Sequence, residues 1–307
     1  MSSNSPGFGR RSLLQAMAGA AALPLLPTRA SAFEVPEEPP LRNHDYAHVR
    51  ERFRTNLVRK GPAPDKFEPL TPPHGASRIF YRSGRAGELT LTAWLSPYKR
   101  KSERMPAVLF LHGGNAMGAG HWHPLQAYVD AGFIVMMPSM RGENGQTGNF
   151  SGFYDEVDDV LAAADRLAHL PGVDRERMFI AGHSVGGVLA MLASMSSHHF
   201  RASVPISGNP NAFRFFSRYP EDIRFDDSNS REFEVRSAVC FPNSFKCPTM
   251  LLHGTQETHF DDSANLLLKR TANAKIPLTS QTIEGNHTSA IPGAIAASIQ
   301  FFHQVAA

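Results

Sequence analysis

Met178-Phe179-Ile180-Ala181-Gly182-His183-Ser184-Val185-Gly186-Gly187 decides the reading of this 307-residue chain. Met178 to Ala181 form an apolar run that suits a buried strand, and it leads into Gly-x-Ser-x-Gly. The small-residue stretch from Gly186 to Ser197 suits a helix packed close behind. A serine so placed sits on a strained strand-to-helix turn, its hydroxyl held out past the strand end. Side chains at 182 and 186 would collide with neighbouring backbone, which explains glycine at both positions. The pentapeptide alone is common. Its context makes Ser184 the candidate nucleophile.

A serine hydroxyl is a poor nucleophile until a base takes its proton, and the base needs an acid to fix its tautomer. Downstream, the apolar run Thr249 to His253 is followed by Gly254-Thr255-Gln256-Glu257, which puts Glu257 where an acid leaves a strand end. Asp261 and Asp262 are the alternatives for that role. A further strand-like run, Leu278 to Ile283, leads into Glu284-Gly285-Asn286-His287 and makes His287 the candidate base. Upstream, Ala107 to Leu111 end in His112-Gly113-Gly114-Asn115, where two glycines let backbone approach a ligand. The oxyanion of the transition state needs donors. The N–H of Val185 is one candidate, and Gly114, then Asn115, supplies the other. His112 is expected to shape this loop and His183 to pack near the pocket.

Ser77 to Tyr81 and Leu89 to Leu95 alternate well enough for an antiparallel edge pair. From Met105, strand patterns alternate with helical ones at 123–131, 154–167 and 186–197. That pattern predicts a mostly parallel sheet covered by helices on both faces, with its site at the carboxyl ends of the strands. The stretch 208–246, before the strand that bears the acid, is too long for a simple connection. It reads as a cap-like insert in which Phe213 and Phe216, with Phe215 and Tyr219, either line a substrate pocket or form the insert's own core. Arg141, with Glu143 and Asn144 beyond another strand end, either touches substrate or clamps a loop by an ion pair.

With those residues placed, the chain resembles the α/β-hydrolase superfamily. Within it, the chain is most similar to the catalytic domain of the prolyl oligopeptidase (S9) family and its dienelactone hydrolase relatives. LFLHGGN (109–115), PSMRGENGQTG (138–148), the run 158–187, CPTMLLHGTQE (247–257) and EGNH (284–287) carry the likeness. It implies an α/β-hydrolase fold, nucleophile Ser184, acid Glu257 and base His287. Most such enzymes carry Asp where Glu257 stands. A glutamate is one methylene longer, so its turn must recede or a nearby Asp must serve. The propeller of the larger oligopeptidases has no counterpart here, so the resemblance brings no gate on substrate size.

Composition is 42% hydrophobic and 19% charged, ordinary for one sizeable core. Residues 1–32 read as a twin-arginine export signal: Arg10 and Arg11, an apolar stretch from Leu13 to Leu26, then Ala30-Ser31-Ala32 before Phe33. That stretch is too short and too rich in Gly and Ala for a lasting membrane span. Removing it takes away Arg10, Arg11 and Arg29 and no acid, so the formal charge falls from +3 to 0. No basic run points to nucleic acid. Residues 33–76 read as a linker with a docking helix on Tyr46, Val49, Phe53 and Leu57, and 77–307 as the catalytic domain.

Export permits a disulfide between Cys240 and Cys247, and two buried thiols are the alternative. The histidine pairs at 121 and 123 and at 198 and 199 lack further ligands at metal spacing, and no phosphate or dinucleotide motif is present. No cofactor or metal is expected. The sequence therefore predicts a periplasmic or secreted serine hydrolase, with the export machinery as its transient partner. A carboxylic ester is preferred as substrate, because the compact body lacks a peptide gate. A short peptide or aminoacyl amide is the first alternative, ahead of a noncatalytic binding protein or an acyltransferase.

Overall fold

The computed structural model describes residues 33–98 and 103–306. The leader read at 1–32 lies outside them. Eight strands form one sheet: β1 (Ser77–Ser83), β2 (Leu89–Leu95), β3 (Met105–Leu111), β4 (Ile134–Pro138), β5 (Val173–His183), β6 (Ala202–Ile206), β7 (Thr249–Gly254) and β8 (Leu278–Ile283). Their order is β1-β2-β4-β3-β5-β6-β7-β8. β1 and β2 pair antiparallel, as expected, and β2 meets β4 antiparallel, while all pairings from β4 to β8 are parallel.

The helices are α1 (Tyr46–Arg52), α2 (Ala119–Trp122), α3 (Gln126–Asp130), α4 (Glu156–Ala168), α5 (Val185–Ser196), α6 (Ala212–Arg218), α7 (Ser230–Glu234), α8 (Asp261–Thr271) and α9 (Ile291–Ala306). Central strands are buried on both faces, and their side chains alternate between two apolar layers. Leu109, Leu111 and Ile180 join α4 and α5 on one face. Val108, Phe110, Phe179 and Ala181 meet Trp122, Tyr128 and, from α9, Ala294, Ile295 and Phe302 on the other. α5 is apolar all round and buried along its length, because β5 and β6 lie beneath it while α1 and α4 pack against it.

Several sequence expectations shift. α1 stops at Arg52, since Phe53 turns extended at ψ 146°, and Leu57 instead bridges to Phe225. The stretch 33–42 is no free linker. Phe33 packs on Phe233 with centroids 4.1 Å apart, Arg42 forks onto Glu234 at 2.9 and 2.7 Å, and Arg270 donates to the Pro39 carbonyl at 2.6 Å. The helix expected over 123–131 begins at Ala119 and is broken by a tight turn at His123–Leu125, where Pro124 lacks the N–H a regular helix needs.

The insert has its own core. Phe213 and Phe216 are buried and pack with Phe225 and Phe233, so neither lines a pocket as had been one reading. Arg236, fully buried, locks this core to the body: it pairs with Glu232 at 2.6 Å and donates to the Ser151 and Gly152 carbonyls. The disulfide is corrected too. Cys240 closes a short turn of the insert and Cys247 precedes Pro248 before β7, and both are buried free thiols whose pKa burial pushes up to about 12.

Candidate active site

Ser184 follows β5 at φ 56° and ψ −117°, a left-handed geometry that non-glycine residues adopt only when their surroundings enforce it. Its N–H donates to the Ile206 carbonyl at 2.8 Å, which fixes the turn to β6. A Cβ on Gly182 would run into the Gly186 carbonyl, and one on Gly186 into the Leu111 and His112 carbonyls. Close approach therefore explains both glycines, as the sequence suggests. A third contact is added where Gly187 meets Gly208: a Cβ there would stand 2.9 Å from Ile206 O.

Glu257 and His287, thirty residues apart, meet because β7 and β8 are neighbours. Nδ1 of His287 donates to Glu257 Oε1 at 2.6 Å, leaving Nε2 as an acceptor. The other oxygen, Oε2, accepts from Ser207 Oγ at 2.6 Å and from the Gly254 N–H at 2.7 Å. Burial alone would raise the Glu257 pKa, but these hydrogen bonds outweigh it and hold the carboxyl at about 2. The longer glutamate is accommodated by folding back over its own turn onto Gly254. Asp261 and Asp262 are engaged elsewhere, with His253 at 3.0 Å and Arg214 at 2.9 Å. His183 Nε2 donates to the His287 carbonyl at 2.8 Å, and burial with the neighbouring His287 holds its own pKa down to about 4.

Gly114 has φ +68° and lines the cleft beside Ser184. Val185 opens α5, so its N–H is among the helix donors that lack an intrahelical acceptor. Asn115 is committed elsewhere: its N–H donates to Asp65 Oδ2 at 2.6 Å and its side-chain amide to Asp222 at 3.2 Å. Arg141 is likewise removed from the pocket. It forks onto buried Asp159 at 2.9 and 2.7 Å and clamps the loop after β4, the ion-pair reading of the sequence. His112 lies buried against Glu143 at the end of β3.

Two hollows meet at Ser184 and His287. One, of about 270 Å³, is lined by Phe215, Arg218, Tyr219, His259 and Phe260, with Asn209 and Ser207 at its base. The other, of about 400 Å³, is walled by Asp65, Lys66 and Glu68 from the chain before β1. Sequence reading missed Asp65, Ser207, Arg218, His259 and Phe260. Only Ser207 carried a signal, as the residue after an apolar strand and before Gly208. No cluster of metal-ligating side chains occurs among the described residues.

A strained serine on an elbow, beside a histidine held by a buried carboxylate on an eight-stranded sheet, defines a serine hydrolase of the α/β-hydrolase fold. The profile of the prolyl oligopeptidase family matches residues 121–295, more than half of the chain. The chain belongs to that family. Among curated relatives it is similar to the uncharacterized peptidase YtmA of Bacillus subtilis, 24% identical over 171 residues, 52% of this chain and 66% of that protein. It also resembles the putative esterase YitV of the same species, 23% identical over 136 residues, 41% of this chain and 53% of YitV. A puromycin-hydrolyzing peptidase of Mycobacterium tuberculosis shares the fold at TM-score 0.65 and 21% identity, over 77% of this chain and 40% of that one. The chain thus spans between two fifths and two thirds of these proteins. Family membership favours a peptidase over the ester preference drawn from sequence alone.

Proposed function

We propose that this protein is a serine peptidase acting on short peptides or aminoacyl amides through an acyl-enzyme on Ser184. The observation that carries the reading is the 2.6 Å contact of Glu257 with His287, whose free nitrogen faces the cleft that Ser184 lines, in a chain of this family. Ser184 Oγ bonds to the scissile carbonyl carbon and gives its proton to His287 Nε2. The oxyanion takes the N–H groups of Gly114 and Val185. Collapse breaks the C–N bond, and the amine leaves with the proton from His287. Water then attacks the acyl carbon, returning a proton to Ser184 by way of His287.

The aromatic hollow of Phe215, Tyr219 and Phe260 holds one side chain of the substrate, and the wall of Asp65, Lys66 and Glu68 faces the other side of the bond. An ester substrate is the second reading, favoured by the likeness to YitV. The same triad cleaves both bonds, so rates decide: aminoacyl and peptidyl p-nitroanilides beside short- and medium-chain p-nitrophenyl esters, with Ser184→Ala as blank. Serine-dependent anilide cleavage supports the peptidase; ester cleavage alone replaces it with an esterase. We also propose export by the twin-arginine route, tested by whether Arg10→Lys with Arg11→Lys retains the protein inside the cell and whether the exported form begins at Phe33.

A further inference from the structure

His112 is buried between two acceptors. Its Nδ1 lies 3.1 Å from the Gly113 carbonyl oxygen and its Nε2 lies 3.0 Å from Glu143 Oε2. A carbonyl has no proton to give, and the same Glu143 oxygen already accepts the Met140 N–H at 2.9 Å. An imidazole that makes both contacts as hydrogen bonds carries a proton on each nitrogen and hence a positive charge.

The Gly113 carbonyl belongs to the same peptide unit as the Gly114 N–H. No described peptide bond is cis, so carbonyl and N–H point in opposite directions. Holding the oxygen down toward His112 aims the hydrogen up into the cleft that Gly114 and Ser184 share. A cation on the carbonyl also draws electron density through the peptide and strengthens its N–H as a donor. We propose that His112, held as an imidazolium by Glu143, is a positioning residue that aims and polarises the Gly114 N–H toward the developing oxyanion. The inference rests on the assignment of Gly114 as an oxyanion donor.

The surroundings agree on where the charge sits. Burial opposes a cation at His112, but the Glu143 carboxylate, which faces it from the loop after β4, prevails and raises its pKa above 6.5. Asp65, from the chain before β1, adds negative charge above the loop. His121 of α2 has its ring 5.4 Å away, and burial with repulsion from the His112 charge holds it at about 4. Its Nδ1 accepts the Gly118 N–H at 3.0 Å, as a neutral ring does. His183, at the end of β5, is held near 4 as well. The positive charge on His112 is therefore favoured relative to a free imidazole, and it is lost as pH rises through the raised pKa.

The test joins two measurements on the whole chain: nitrogen-15 NMR of labelled histidine, and kcat and KM against pH for Ser184-dependent hydrolysis. The variants are Glu143→Gln, which keeps the shape and removes the charge, and His112→Asn, which keeps a donor for the Gly113 carbonyl. The expected result is two protonated nitrogens on wild-type His112 at pH 7.5. Glu143→Gln should move the alkaline fall in kcat toward neutral by about one pH unit or more, with KM unchanged and wild-type kcat regained on the acid side of that fall. His112→Asn should lose about tenfold in kcat, part of the hundredfold or more that a whole oxyanion donor is worth, and should lack that alkaline step.

A singly protonated His112 at pH 7.5 overturns the proposal. So do superimposable kcat profiles for wild type and Glu143→Gln, or full kcat in a folded His112→Asn. A doubly protonated His112 in a protein without Ser184-dependent turnover places the failure in the hydrolase reading instead, and removes the catalytic role of the pair with it.

Discussion

Ser207 Oγ donates to Glu257 Oε2 at 2.6 Å, reaching from the end of β6 to the turn after β7. β6 supplies neither the nucleophile, the acid nor the base, yet this hydroxyl and the Gly254 N–H fix one oxygen of Glu257 so that the other faces His287. Ser207→Ala removes one of these two anchors. The cost expected is about 1 to 2 kcal/mol in transition-state stabilisation, near tenfold in kcat, with KM little changed. Glu257→Gln removes the charge that stabilises the imidazolium and should cost about a thousandfold or more. Single-turnover acylation rates of the two variants check the ranking; equal losses would mean that Ser207 does more than orient the carboxylate.

The same cage makes Glu257 a weak proton acceptor. With its pKa near 2 against an ordinary 4.5, Glu257 favours the folded state above about pH 4.5, and that stabilisation is lost progressively as pH falls toward 2. The wild type and Glu257→Gln should therefore differ by a constant urea midpoint from pH 8 to 5, and the difference should shrink steadily below 4.5. Any acid limb of activity above pH 4 then belongs to a group other than this carboxyl. A midpoint difference that closes between pH 7 and 5 would place the Glu257 pKa well above 2.

The glycines divide into two kinds. Gly186→Ala drives a methyl into the Leu111 and His112 carbonyls beneath the elbow, backbone atoms that have no rotamer to yield. We expect a loss of about 3 kcal/mol or more, or failure to fold. Gly120→Ala, in α2 with nothing near its added methyl, should change stability by no more than about 1 kcal/mol in either direction. Thermal melts of the two proteins, side by side, check the contrast.

Much of this site is legible in sequence because parallel strands buried on both faces appear as unbroken apolar runs, and function collects where those runs stop. Ser184, Glu257, His287 and Gly114 all stand just beyond such runs. Long-range pairing is not legible. Nothing around Asp65 marks it as the residue that takes up the Asn115 N–H fifty positions away, and Glu143 joins His112 only because β3 and β4 are adjacent. Phe213 and Phe216 differ from Phe215 only in the side of α6 they occupy, which the insert's own core decides. The polar start of β5, Val173 to Arg177, pairs only at its first residue with β3 before the apolar part takes over, so periodicity misses it.

Charge is unevenly spread along the cleft, and that asymmetry carries the last prediction. In the hollow of Phe215, Tyr219 and Phe260, Arg218 contributes a full positive charge and no lining residue is a carboxylate, whereas Asp65 and Glu68 stand with Lys66 across Ser184. A substrate with a carboxylate beside its scissile bond gains one charge-assisted contact from Arg218. Because that guanidinium is exposed to solvent, screening limits the gain to about 1 kcal/mol, roughly fivefold in kcat/KM. Glutamyl and aspartyl anilides should accordingly outrun their glutaminyl and asparaginyl counterparts at low salt, and the advantage should fade at high salt. Arg218→Gln should erase the difference while leaving the amide substrates near wild-type rates, because it removes the charge and keeps a polar side chain in the hollow. An acidic preference that survives Arg218→Gln would move its origin to Lys66 on the opposite wall, and Lys66→Gln measured on the same substrates would then lose it.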